Sequence, residues 1–465
     1  MLARMPLDDA SPEPLIPPAA KLPGRPLNGL QLIQAMRTSM LSIWGPRAYE
    51  LPIIGGKLYG RTRILVNDPA AVRRVLIENS AAYEKPAPTR RLTRPIIGEG
   101  VFLSEGVAWR RQRRVLSPAF TPQHVEQLTS HFADAARALT GSMEGLSRTH
   151  LARPLQEAAL DAAARSMFSM PIGGQGSRIA DMVREYVKGP GRPTVFDMIA
   201  TNEDDFSWFS PGRRAFRKRW LKEVDQVVAA RRSRPIAEGA PSDLLDLMIK
   251  ARDPETGEPL SDAEIRDQSA TMLAAGFETT AGALFWTLYL LSRDVAEQAR
   301  IRAEILADPP SGSLKGVPTR WPRLRRAILE ALRLYPSAPL LFRVAKQPDR
   351  LCDREVPAGA IVIISPWIIH RHRKLWDRPE AFIPDRFEGK EREYLAGGAY
   401  LPFGAGPRIC IGASFALTEA AIMAATFLER FAVTLDDDRE LEPMSVITTM
   451  PSFDPWFRIE DASAT

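Results

Sequence analysis

The densest chemistry in the chain is the run Phe403-Gly404-Ala405-Gly406-Pro407-Arg408-Ile409-Cys410-Ile411-Gly412. Cys410 stands just before an apolar helical stretch, IGASFALTEAAIMAATFLERF, so a helix N-terminus and its free amides face the sulfur. Helix dipole and N–H donors both favour the thiolate, the form that binds a metal ion. Gly404, Gly406 and Gly412 let backbone approach a flat ligand, and Arg408 sets a permanent cation nearby, able to pair with a carboxylate. Taken alone, such a cysteine is equally an inert buried thiol, which is the expectation for Cys352.

Three further groupings carry usable spacing. In Ala275-Gly276-Phe277-Glu278-Thr279-Thr280, Gly276 lets a ligand lie against a helix backbone, and the Thr279 hydroxyl can bond back to a carbonyl or to a guest. Glu278 and Thr279 together make an acid–alcohol pair fit to pass protons. Glu330 and Arg333 sit three apart on one helix face, a pairing common on exposed helices and worth only about 0.3–0.5 kcal/mol there. Trp109 and Arg113, four apart, share a face of a basic helix.

The elements that must position these groups are mostly helices. Ser261-Asp262-Ala263-Glu264 is a capping box, and no proline follows until Pro309, which predicts a helix to about Ser292. Such a rod is about 45 Å long and crosses a whole domain. A second helix is predicted from about Arg323 to Tyr335, ended by Pro336, and a third from about Ile411. Strand-like segments are Tyr59–Val66, Phe342–Ala345 and Ile361–Ile364, while Asp68-Pro69 supplies a helix start. Six prolines between Pro12 and Pro26 make residues 1–28 an extended arm on a body spanning 29–465. With no internal repeat and no linker, the expected architecture is a single helix-rich domain with minor β-sheets.

Composition narrows the function. The 465 residues are 45% hydrophobic and 25% charged, enough for a large core around a sizeable ligand. Two cysteines exclude a disulfide scaffold, and five histidines without a His-Glu-x-x-His run leave little for a histidine metal cluster. No apolar stretch approaches the ~18 residues that span a bilayer, and the acidic, proline-rich start lacks a signal peptide's core. A cytoplasmic protein without a transmembrane anchor is expected. The net charge of +6 resides in runs such as RRQRR (110–114) and RRAFRKRW (213–220), broken by apolar residues at helical spacing. With no nucleic-acid reading motif beside them, nucleic acid is not the expected partner.

The pattern F-x-x-G-x-R-x-C-x-G resembles the haem-binding loop of the cytochrome P-450 superfamily, with every fixed position present. The rest of the chain, from about Pro26 to Arg458, is similar to that family in motif order. The resemblance makes Cys410 the axial ligand of haem b, with Phe403, Gly406 and Gly412 shaping its loop and Ala275 and Gly276 lying against the haem. Trp109, Arg113, Arg343 and Arg408 become partners of the haem propionates. Glu330 and Arg333 join Arg386, from Pro384-Asp385-Arg386-Phe387, in a structural network; this motif carries aspartate where glutamate is commoner. Glu278 and Thr279 become the proton relay for dioxygen activation. By family position, Val101, Phe102, Ala274, Leu340, Leu341, Phe342, Thr448 and Met450 line a mostly apolar pocket for a lipophilic guest. RRAFRKRW, after the aromatic stretch 206–209, either caps its entrance or is a solvated helix.

The implied activity is insertion of one atom of dioxygen into a C–H or C=C bond, with the haem supplying the hard chemistry. Electrons are expected from a separate ferredoxin with its reductase, or a flavodoxin, docking on a basic face that includes Arg110, Arg111 and Arg114. Two alternatives share the thiolate loop: a peroxygenase or isomerase, and a non-catalytic haem-based sensor. Neither needs the Glu278/Thr279 pair.

Overall fold

The computed structural model describes residues 13–58, 60–169, 173–202, 204–205, 210–233, 243–312 and 314–461. The aromatic stretch 206–209 and the first twelve residues of the arm lie outside them. In chain order, the elements used below are helix α1 (Gly29–Thr38), strands β1 (Ile53–Leu58), β2 (Arg61–Val66) and β3 (Tyr83–Glu84), and helices α2 (Ala87–Ile97), α3 (Gly106–Leu116), α4 (Thr129–Gly141) and α5 (Ala152–Phe168). There follow α6 (Gly173–Lys188), α7 (Val195–Ile199), α8 (Pro211–Arg232), the long α9 (Asp262–Arg293) and α10 (Pro322–Leu334). Strands β4 (Leu341–Ala345) and β5 (Ile361–Ile364), helix α11 (Ala413–Arg430) and the hairpin β6–β7 (Pro443–Ser445, Thr449–Pro451) complete the set.

Helix α9 is the axis of the fold. Its capping box forms as read: the Ser261 side chain accepts from the Glu264 amide, and the Glu264 carboxylate accepts from the Ser261 amide at 2.8 Å. From Phe277 to Ser292 nearly every residue is buried, because the sequence there is apolar on all sides and α5, α10 and α11 surround it. Trp286 stacks on Tyr335 with ring centres 3.8 Å apart, joining α9 to the end of α10.

Helix α10 runs Pro322–Leu334, with proline in its first turn and Pro336 just beyond its end. Helix α11 begins at Ala413, two residues later than the sequence suggests, because Gly412 is its N-cap. The sheet has the order β1-β2-β5-β4-β3, with β2 and β5 parallel and the other pairs antiparallel. Of the expected 59–66 strand, Tyr59 lies outside the described residues, Gly60 is in a turn, and Arg61–Val66 pairs with Ile53–Leu58 as a hairpin that the sequence reading missed. From residue 13 the arm runs without regular secondary structure to the α1 cap at Asn28. Its Pro18 carbonyl accepts from the Tyr335 hydroxyl at 2.7 Å, and its Leu15 carbonyl from the Phe382 amide at 2.9 Å.

Candidate functional site

The thiol loop is held in shape by two glycines. Gly404 and Gly406 take φ of 72° and 71°, and a Cβ on Gly406 would lie 2.0 Å from the Leu76 carbonyl oxygen. The Cys410 amide closes the loop by donating to the Phe403 carbonyl at 2.9 Å. Cys410 is exposed on its surface yet enclosed by protein, and burial pushes its thiol pKa up against the opposing pull of the Gly412 amide and the Arg113 charge. Cys352 is a different case: it sits with Asp353 in the tight turn between two short strands, φ 46°, its thiol pushed up to about 11 by burial and by Asp68.

Helix α9 is open at one turn. Ala275 is exposed in the midst of a buried helix, and a Cβ on Gly276 would meet no atom within 4 Å. Thr279 donates back to the Ala275 carbonyl at 2.7 Å, and Thr280 to the Gly276 carbonyl at 3.0 Å. These back-bonds tie up the carbonyls of the open turn. Glu278 meets the Thr448 hydroxyl, and burial pushes its carboxyl up to about 7. No direct hydrogen bond joins Glu278 to Thr279, so the pair expected from sequence is not in contact. Across the helix, the buried Glu419 of α11 lies beside Thr280 with one carboxyl oxygen unpartnered, a feature the sequence reading passed over.

A cationic cradle stands beside the loop. Arg408 lies over the Trp109 ring at 4.0 Å, donates to the Ser104 carbonyl at 2.8 Å and pairs with Glu105. Burial lowers its pKa to about 10. Arg343, on β4, is half-buried with Glu105 as its counter-charge, and Arg113 is lowered by burial and feels the Cys410 charge. The sequence reading missed two members. Lys85 is pushed down to about 7, first by burial and then by Arg408, and Glu105 is the carboxylate at its side, 3.7 Å away. Lys85, Arg343 and Arg408 share the one carboxylate of Glu105, and Arg113 adds its charge beside Arg408, a surplus of basic groups that an anionic ligand would relieve.

Glu330, Arg333 and Arg386 are joined as the resemblance implies, and the cluster is fully buried at its centre. Arg333 donates to Glu330 at 2.7 and 2.9 Å, and Arg386 at 3.0 Å. Arg333 also donates to the carbonyls of His370, Pro379 and Ala381. His370 extends the network to the thiol loop. Its ring nitrogens meet the Arg333 carbonyl (3.1 Å) and the Leu401 amide (2.7 Å). Burial pushes its pKa down to about 3, so the neutral ring donates to the carbonyl and accepts from the amide.

The expected pocket residues divide. Val101 is buried and Phe102 is 44% exposed toward the Lys85 ammonium. Ala274, Leu340 and Phe342 pack against the main core. Leu341 turns to the other face of β4, joins the second core under the sheet and approaches Gly404, so it is not on the Phe342 side. Met450 lies against Gly282, one turn beyond Glu278, rather than against Ala275. The basic face also needs correction. Arg111 pairs with Glu264 and Arg114 with Asp253 and Glu255, leaving Arg110 exposed with no ion pair among the described residues. In 213–220, Arg213, Phe216 and Trp220 are buried, so this is not simply a solvated helix.

These residues fit the haem that the resemblance implies. The Cys410 thiol is accessible, the Gly276 side of α9 is open, and a cationic cradle stands beside the thiol loop. Among the described residues no helix is long and apolar enough to cross a membrane. The cytochrome P450 family profile matches residues 23–452. Cyclooctatin synthase of Streptomyces melanosporofaciens is 31% identical over 425 residues, 88% of each chain. Cyclooctat-9-en-7-ol 5-monooxygenase of the same organism is 32% identical over 374 residues, 78% of each. Among solved structures, the cytochrome P450DA heme domain superposes with a TM-score of 0.78 at 27% identity, covering 96% of this chain and 98% of that one. Fold, motif order and these matches agree: the chain belongs to the cytochrome P450 family and is an oxidoreductase of the monooxygenase class.

Proposed function

We propose that the protein binds haem b through the Cys410 thiolate and inserts one oxygen atom of dioxygen into a C–H or C=C bond of a lipophilic small molecule. The other oxygen atom leaves as water, with two electrons and two protons consumed. The observation that carries this is that Cys410 and Ala275 are exposed, and the Gly276 backbone is open, although the following stretch of α9 is buried.

When bound, the haem supplies dioxygen activation favoured by an electron-rich thiolate. The protein's part is positional. Trp109, Arg113, Arg343, Arg408 and Lys85 hold the propionates, while Phe403, Gly406 and Gly412 keep the sulfur in place. The Thr279 hydroxyl holds a proton at the open turn. Glu278, near neutrality in its pKa, replenishes it through intervening water, since the two side chains do not touch. Val101, Phe102, Ala274, Leu340, Phe342 and Thr448 exclude water and orient the guest. The names of the two Streptomyces relatives support a cyclic lipophile as guest.

Electrons come from a separate ferredoxin with its reductase, or a flavodoxin. The test is reductant-dependent turnover of a lipophile library with a surrogate ferredoxin, preceded by spin-state titration of the ferric protein. One oxygen atom from labelled dioxygen in the product supports the proposal. Turnover driven by peroxide alone, with no response to reductant, overturns it in favour of a peroxygenase, and tight binding without turnover points to a sensor.

A further inference from the structure

The segment between α2 and α3 is bonded to α9 through its own backbone. The Ile97 carbonyl accepts from the Thr271 hydroxyl at 2.8 Å, the Glu99 amide donates to Asp267 at 2.8 Å, and the Val101 amide donates to Gln268 at 2.9 Å. Two glycines make this approach possible. A Cβ on Gly98, which has φ of 62°, would lie 2.3 Å from the Asp267 carboxyl carbon, and one on Gly100 would lie 2.2 Å from the Thr271 hydroxyl oxygen. From the other side, Gln112 donates to the Glu99 carbonyl at 3.2 Å and accepts from Ser104 at 2.9 Å.

Position on the helix gives this contact its meaning. Thr271, Ala275 and Thr279 follow one another at i, i+4 and i+8, so they lie on one stripe of α9, each about 6 Å further along. Val101 and Phe102 are thus pinned to the same stripe that carries the open Ala275 and the Thr279 hydroxyl.

We propose that Asp267, Gln268 and Thr271, with Gly98 and Gly100, are positioning residues for specificity: they fix the Val101–Phe102 wall at one distance from the Thr279 turn, and so select which carbon of the guest is oxidised. The proposal rests on the pocket assignment above. It makes this wall a fixed part of the helix surface, in contrast to a loop that moves aside as the guest enters.

The test uses the holoprotein and a substrate with several oxidisable positions. Thr271→Val and Gly100→Ala are expected to change the ratio of products about threefold or more, while Thr271→Ser, which keeps the hydroxyl, restores it. Haem content and the reduced carbon monoxide spectrum stay as in wild type. An unchanged ratio in both variants, with the guest still bound, overturns the proposal. Should the variants fail to fold, amide exchange in the wild type decides: Glu99 and Val101 are expected to exchange about a hundredfold slower than an open loop. Free exchange at both overturns it. A wild-type protein without a thiolate-type spectrum would instead fail the functional reading itself.

Discussion

Two glutamates sit close to the centre of this protein and have opposite surroundings. Glu330 is wholly buried and receives two guanidiniums and the Ile383 amide. Glu278 is nearly as buried, forms no ion pair among the described residues, and meets one hydroxyl. A carboxylate given every donor it can use is a fixed charge and serves as a structural joint. One left short of partners by the same burial titrates near neutrality and can move a proton. Saturation separates structure from chemistry here better than residue type does.

The largest expected effect lies outside both sites and sets the scale. Cys410→Ser should abolish both the thiolate-type reduced carbon monoxide band and turnover; retention of either would remove the ground for calling Glu278 functional. Next, Arg333→Ala leaves Glu330 buried with half its partners, a loss of about 3–5 kcal/mol in denaturant unfolding. A loss below about 1 kcal/mol would mean that Glu330 is not the saturated joint described.

Glu278→Gln should lower reductant-coupled product formation about a hundredfold. It also has a stability signature. The folded carboxyl lies near 7 and the unfolded one near 4.5, so the wild type loses stability as pH rises between those values. The glutamine variant escapes that loss, and above neutrality should gain on the order of a few kcal/mol relative to its standing at pH 4. Parallel pH profiles would erase the contrast between the two glutamates. The smallest effect tests the same rule on arginines. Arg110→Glu should slow reduction by an acidic donor a few-fold at low salt, while neutral Arg111→Gln, whose wild-type charge is already matched by Glu264, should change it less.

What could be read in advance was local. The Cys410 loop, the Ser261 capping box and the Glu330–Arg333 pair each lie within a few residues, and their types state their purpose. Arg386 was found because its own motif is short and distinctive. Glu105 escaped because its partner Arg408 lies 303 residues away, and neither Lys85 nor Glu105 stands in a pattern that marks it. His370 and Glu419 became meaningful only when folding brought Leu401 and Thr280 against them. Leu341 was named beside Leu340 and Phe342 by family position, which does not separate the two faces of a strand, and on β4 it packs opposite to Phe342. Arg111 and Arg114 looked available because a run of like charges does not announce the distant carboxylates that neutralise it.

The arm has a consequence for how the chain is made. Pro18 leaves the ribosome long before the hydroxyl it accepts from, on Tyr335, which is 317 residues further along. Its second tie, from Leu15 to Phe382, waits longer still. At typical synthesis rates of about 5–20 residues per second, the arm stays undocked for some tens of seconds. Docking is therefore a late event in biogenesis, and protease resistance of the arm would serve as a clock for completion of the native body.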